Sequence, residues 1–343
     1  MYNYITYFTN GRLRSEFYMT MKTITELPSL AQLPNNFLID LNHFGAISLS
    51  GEEQSSYLQG QVTCDVTQCS DNALMIGAHC DAKGKVFSVF RLFNRQGDHL
   101  LLQPKSCIEN SLMALKKFAV FSNVDITHVN DLHCLALVGN QASQLLAKQF
   151  SHVPDSDNPV IQVDTTSLIC LPGQQDRFII IDSLPHIHTI QSAFSLPTYD
   201  HAVWDLLEIT SGFPLLNSAT TGQYVPQMLN LQAINGISFT KGCYMGQETV
   251  ARMQYLGKNK RALFSLISKR TEVIQADDLL EKQLGENWRK AGDILAYYQA
   301  DDGHCAIQAV LVNDDELPPM RMSSQTMRQV SAQPLPYSLI PSD

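Results

Sequence analysis

Two spacings of apolar residues alternate along this chain, and they predict a sequence of short strands and helices. Apolar runs at strand spacing cover residues 37–41 and 45–50, which read as two strands around a turn, and residues 72–80 and 86–93, which flank Asp81-Ala82-Lys83-Gly84-Lys85. That five-residue connection carries a Gly in the position of a hairpin turn. A helix opens at Gly51-Glu52-Glu53 and stops near Gly60, and a strand over 99–103, a helix over 105–118 and a strand over 124–129 complete one α+β passage.

The same rhythm returns: a strand over 132–138, a helix over 141–150, strands over 166–171 and 177–181, and a helix over 186–194. Residues 201–212 then form an amphipathic helix with Val203, Leu206, Leu207 and Ile209 on its apolar face. Its other edge, bearing Trp204, Asp205 and Glu208, is expected to be exposed. Residues 213–239 are a long loop with too many apolar side chains for simple disorder. After Gly257 the pattern changes to short alternating strands at 261–267, 294–299 and 306–312, which predict a small β-barrel or sandwich.

The division is therefore a leader over 1–35, a first α+β domain over 36–130, a second over 131–256 and a C-terminal β domain over 257–343. The fold class is α+β. Residues 1–20 are aromatic and polar without an apolar core, so they make no secretory signal. With Met19 and Met21 as alternative starts, this leader is expected to be disordered or an over-extended reading frame.

Composition removes several functions. The formal net charge of −9 over 343 residues argues against bulk nucleic-acid binding, which needs clustered Lys and Arg. Cysteines at 64, 69, 80, 107, 134, 170, 243 and 305 form no Cys-x-x-Cys pair, so neither a disulfide framework nor a metal site is expected. No run is long and apolar enough to span a membrane. Together these point to a cytoplasmic protein in a reducing compartment.

The densest chemistry lies in Lys241-Gly242-Cys243-Tyr244-Met245-Gly246-Gln247-Glu248. Two glycines predict a tight, shaped loop, and residues 247–255 read as a helix that Gly257 stops. Cys243 would then stand just before a helix N-terminus and beside Lys241, both of which favour a thiolate. Against this stand two blander readings. Free cysteines are commonly small buried hydrophobes, or the whole run is a structural loop, in which case Gly242 and Gly246 matter and Cys243 does not.

That run closely resembles the YgfZ family of folate-binding proteins. The resemblance extends through Tyr57-Leu58-Gln59-Gly60-Gln61-Val62-Thr63, His79-Cys80-Asp81-Ala82-Lys83-Gly84-Lys85, Phe213-Pro214, residues 226–232, Asn259-Lys260-Arg261-Ala262-Leu263 and Pro334-Leu335-Pro336-Tyr337-Ser338-Leu339. It implies a relative of the glycine-cleavage T-protein, the folate-dependent aminomethyltransferase. Such proteins have three domains in a ring, the first two interleaved in sequence and the third a β-barrel, around tetrahydrofolate or a derivative. It further implies an accessory role to iron–sulfur enzymes or assembly factors and, through them, in tRNA modification, with folate-dependent one-carbon transfer as the alternative.

Residue by residue, the resemblance implies folate contacts at Trp204 and at Phe44, where the family commonly has tryptophan. Phenylalanine keeps a π-face and loses the indole donor. It implies a reactive Cys243 tuned by Lys241, with Tyr244, Gln247 and Glu248 shaping the loop or its hydrogen bonds. Two departures stand out. The Glu-x-Gly carboxylate of T-proteins aligns with Thr210, and Glu208 lies about 200° away around the helix. The T-protein Asp-Asp pair falls on Ser88 and Val89, so ordinary aminomethyl transfer is not expected. Asp65 and Asp81 fit turns.

Overall fold

A computed structural model describes residues 23–339 except 172, 174, 258, 270–273, 276, 277 and 315, together with the backbone of residues 2–9 and 12–19. Strands Tyr2–Thr9 and Arg12–Met19 pair as an antiparallel hairpin that joins no larger sheet. The expected disordered leader is thus partly strand, as its tyrosines and phenylalanines favour. From Ile24 onward the chain is bound to the body. Ile24 bridges to Tyr199, the Leu27 N–H donates to Asp301 Oδ2 at 2.9 Å, and Tyr298 donates to the Pro28 carbonyl at 2.7 Å.

Two sheets face each other. A six-stranded sheet has the order 160–163, 166–171, 177–182, 133–139, 36–40, 198–199, and a five-stranded sheet the order 75–80, 86–95, 98–104, 44–50, 125–129. The strands Asn36–Asp40 and Phe44–Ser50, expected as neighbours, lie in different sheets. Asn36–Asp40 pairs with His133–Gly139, so the sheet formed largely by residues after 130 takes a strand from before it.

Period-two alternation explains the layers. Phe37, Ile39, Cys134, Ala136, Val138, Ile179 and Ile181 point into the core between the sheets, where Phe44, Ala46, Phe93, Leu100 and Leu102 meet them. Leu38, Leu135, Leu137, Phe178 and Ile180 point outward beneath the helices Ala142–Leu146 and Leu184–Phe194. On the five-stranded sheet, Ile47, Leu49, Phe90, Leu92 and Leu101 are covered by helix Lys105–Phe118 through Ile108 and Leu115, one heptad apart.

The C-terminal unit is a near-closed seven-stranded sheet in the order 287–290, 280–284, 320–322, 325–333, 261–269, 304–312, 292–299. The strands over 280–284, 287–290 and 320–322 are short, and the first two are largely polar, which hid them in the sequence. Helix Ala202–Ser211 is wedged between this barrel and the inter-sheet core, sharing one cluster with Tyr298, Ala300 and Ala306. Tyr337 closes the contact by donating to the Gly212 carbonyl at 2.7 Å.

Candidate functional site at the domain junction

Wedging the helix reverses the expectation for its polar edge. Trp204 and Glu208 are fully buried, at 0% exposure, and Asp205 is half-buried. The reason is that both the barrel and the sheets bury the helix, so little of its surface is left for water. Glu208 accepts from Arg91 Nη2 at 2.6 Å and from Arg177 Nη1 at 3.0 Å. Arg91 lies over the Phe213 ring at 3.9 Å, and Arg177 over Trp204 at 5.4 Å. The sequence reading missed both arginines. Their signal was a charge within or beside apolar strand runs, Phe90-Arg91-Leu92 and Arg177-Phe178.

Phe44 packs edge-on to Trp204, with centroids 6.5 Å apart and planes at 84°. The two aromatics expected to act together therefore do meet, but in an enclosed junction where Phe44 is only 3% exposed. His43 stacks beside them, 4.4 Å from Phe44 and 4.7 Å from His201. Among the described residues, neither ring nitrogen of His43 nor Trp204 Nε1 has a hydrogen-bond partner. Burial, then His201, lowers the His43 pKa to about 3, so the ring is neutral. Burial also raises Asp205 to about 6.

The second region is the run 241–248, and it docks on the five-stranded sheet rather than the six-stranded one of the expected second domain. Met245 N–H donates to the Gly60 carbonyl at 3.0 Å and Ser238 N–H to that of Thr63 at 2.8 Å. Lys241 is buried, and its Nζ donates to the carbonyls of Val62 at 2.8 Å and Cys64 at 2.6 Å. Burial lowers its pKa to about 8. Its ammonium is committed to backbone oxygens, so it anchors the loop, and no hydrogen bond joins it to Cys243 among the described residues. Tyr244 is buried 5.2 Å from that Nζ, and burial raises its hydroxyl pKa.

Gly246, at φ +81°, is the N-cap of helix Gln247–Leu256. A Cβ there would overlap the Asp81 carbonyl oxygen and stand 2.8 Å from Gly84 Cα, so the hairpin 81–85 and the loop touch backbone to backbone. Gly242 has open space around it. Cys243 and Glu248 are exposed and Gln247 is half-buried. Cys243 precedes the cap by three residues, outside the first turn where the dipole acts. Tyr57–Thr63, His79–Lys85 and Lys241–Glu248, far apart in sequence, thus pack against one another. The structure does not bring Tyr244, Gln247 and Glu248 into the Phe44–Trp204 cluster.

Asp65 and Asp81 both serve turns. Asp65 Oδ1 accepts from Gln59 and Thr67, and Asp81 Oδ1 from the N–H groups of Lys83 and Lys85. Ser88 is fully buried, 3.4 Å from Ser111 Oγ, which also contacts His79 at 2.8 Å. Val89 is core. Among the described residues no group of three or more His, Cys, Asp or Glu could hold a metal ion, and no helix is long and apolar enough to cross a membrane.

Interleaved sheets, a wedged helix and a C-terminal barrel define a T-protein-like protein. The glycine cleavage system aminomethyltransferase T of Bartonella henselae superposes with a TM-score of 0.69 over 88% of this chain and 86% of its own, at 14% identity, a likeness of fold alone. The GCVT N-terminal domain profile matches residues 19–171 and the YgfZ β-barrel domain profile residues 259–319. Similarity to relatives goes further. The tRNA-modifying protein YgfZ of Colwellia psychrerythraea is 64% identical over 94% of this chain and 99% of its own length, and that of Klebsiella pneumoniae 39% identical over 91% and 95%. The chain belongs to the YgfZ family.

Proposed function

We propose that this protein is a folate-binding accessory protein that supports iron–sulfur enzymes in the cytoplasm and, through them, tRNA modification. One observation carries the reading: a T-protein architecture has buried Ser88 and Val89 where an acidic pair serves aminomethyl transfer, yet presents an exposed thiol, Cys243, on a loop pinned at both ends. Relatives named as tRNA-modifying support the last step.

The junction residues fit a pteridine in kind. The unpartnered Trp204 Nε1 and the two nitrogens of neutral His43 offer two donors and one acceptor to a polar heterocycle, and Phe44 and Trp204 offer aromatic surface. Because both rings are enclosed, entry requires the helix and the strand end to part. Tetrahydrofolate, when bound, supplies a reduced, oxidisable ring. Trp204 and Phe44 orient it, and the barrel contact excludes water. A single thiol cannot hold a cluster, so Cys243 meets one only together with partner thiolates.

Titration with several reduced folates is the test. Wild type should bind saturably, and Trp204→Phe, which preserves most of the core volume, should bind several-fold more weakly. Failure of every folate to bind sinks the reading. Cys243→Ala should fold normally and lower iron–sulfur methylthiolating activity in the host.

A further inference from the structure

We infer that a cleft in the C-terminal barrel receives an extended segment of a partner protein, apolar and basic in composition, which pairs as an added strand with the edge at Ala332. The inference does not rest on the folate reading, and its test uses no folate.

The cleft begins where one strand pairing stops. Strand Gln325–Gln333 pairs with Met320–Met322 as far as Val330, and with Arg261–Lys269 through Ser331, Ala332 and Gln333. Continuing the first register would set Pro319 opposite Ser331 and Pro318 opposite Ala332, and proline has no N–H to give to a ladder. Pro319 instead offers its carbonyl to the Gln283 N–H, at 2.9 Å. The pairing therefore ends at Met320, and beyond it the two segments border a cleft of about 630 Å³.

Backbone direction makes the first argument. Ser268 Oγ, on strand Arg261–Lys269, donates to the Gln329 carbonyl at 3.2 Å, so Gln329 faces that strand. Hydrogen-bonding directions alternate along a strand, which turns Ser331 and Gln333 the same way and Ala332 toward the cleft. Among the described residues no strand pairs with Ala332 on that side, and its carbonyl receives the neighbouring Gln333 side-chain amide at 3.3 Å. Ala332 is exposed. An open strand edge of this kind is a template for another strand.

The floor and the lip say what that strand carries. Phe264, Leu317, Met320 and Val330 line the cleft and belong to the barrel core or pack against it, so alternate side chains of an added strand would rest on apolar surface. A small apolar molecule would cover that floor and leave the edge at Ala332 unpaired. Asp314 lines the lip and Glu316 adjoins Leu317 in the chain; both are exposed, and neither has an ion-pair partner among the described residues. Lysine or arginine complements them, and a nucleic-acid strand does not.

Fluorescence anisotropy tests the cleft with a labelled heptapeptide of alternating lysine and valine. Two controls accompany it: the glutamate–valine counterpart, and the lysine–valine peptide methylated at every backbone nitrogen, which keeps its charge and side chains and loses its ladder donors. Wild type should bind the first peptide saturably and each control at least roughly fivefold more weakly. The double variant Asp314→Asn, Glu316→Gln alters exposed positions only. It should weaken the first peptide several-fold and flatten its salt dependence. Ala332→Pro removes the edge N–H without removing charge, and should also weaken it. If Ala332→Pro does not fold, the methylated peptide reports on the same backbone pairing.

Absence of saturable lysine–valine binding overturns the inference. So does equal binding of the methylated peptide, which would mean an apolar groove without strand pairing. Undiminished binding to the double variant would place the contact elsewhere on this acidic chain and overturn it too. Reversible dimerisation of wild type, read by sedimentation and abolished in Ala332→Pro, would assign the edge to a second copy and remove the partner segment.

Discussion

Helix Ala202–Ser211 and the run 241–248 both carry charged and aromatic groups that the sequence presents as chemistry, yet the fold treats them in opposite ways. On the helix every such group but Asp205 is sealed between sheets and barrel, and Glu208 is held by two arginines. On the loop only half is sealed. Lys241 and Tyr244 are anchors, and Cys243 and Glu248 are left in water. A charged side chain becomes a fixed part of the frame once backbone or counter-charge uses up its hydrogen bonds, and remains a reagent only where it is spare.

The largest effect that could break this contrast is expected at Glu208. Glu208→Ala strands two buried guanidiniums and should cost about 3–5 kcal/mol, read by urea unfolding. A loss below 1 kcal/mol, on the order of a surface pair, would show the seam to be solvated. Next comes Gly246→Ala, where left-handed backbone strain of roughly 1–2 kcal/mol adds to overpacking against Asp81 of about 1–3 kcal/mol. Gly242→Ala should change stability by no more than about 0.5 kcal/mol. Equal effects at the two glycines would refute the docking geometry.

Lys241→Met follows, leaving the Val62 and Cys64 carbonyls unpaired at about 1–3 kcal/mol. It also has a pH signature. Folded Lys241 loses its proton near pH 8 and the unfolded chain keeps it to about 10.5, so between those values the unfolded state binds more protons and wild-type stability rises with pH. The gap between wild type and Lys241→Met should therefore widen across that window. A constant gap would mean that the ammonium is not buried. Smallest is Cys243→Ser, within about 0.5 kcal/mol as for surface positions. The same variant should remove the fastest-reacting thiol in alkylation of the native protein, since the other seven cysteines are buried or half-buried. Unchanged fast labelling would place the reactive thiol elsewhere.

Local pattern made much of the molecule legible. Helix Lys105–Phe118 was bounded as found, because its apolar residues recur at helical spacing and a proline precedes it. Helix Gln247–Leu256 ends at Gly257 as expected, and the hairpin 81–85 follows from its turn residues. The short polar strands of the barrel were not legible, since their stability comes from pairing with neighbours distant in the chain. Nor were the partners of Glu208, which lie 117 and 31 residues away.

The sequence by itself determined where most helices and core strands form, that Ser88 and Val89 bring no carboxylate, and that a glycine stands at position 246 where the loop turns into a helix. Those depend on period, residue type and local sterics, which a linear chain carries. Only the tertiary structure decided that Asn36–Asp40 crosses to the other sheet, that Lys241 is an anchor and not a partner of Cys243, and that Trp204 and Glu208 face arginines instead of water. Burial and charge pairing arise between segments far apart in the chain, so no single stretch of sequence could reveal them.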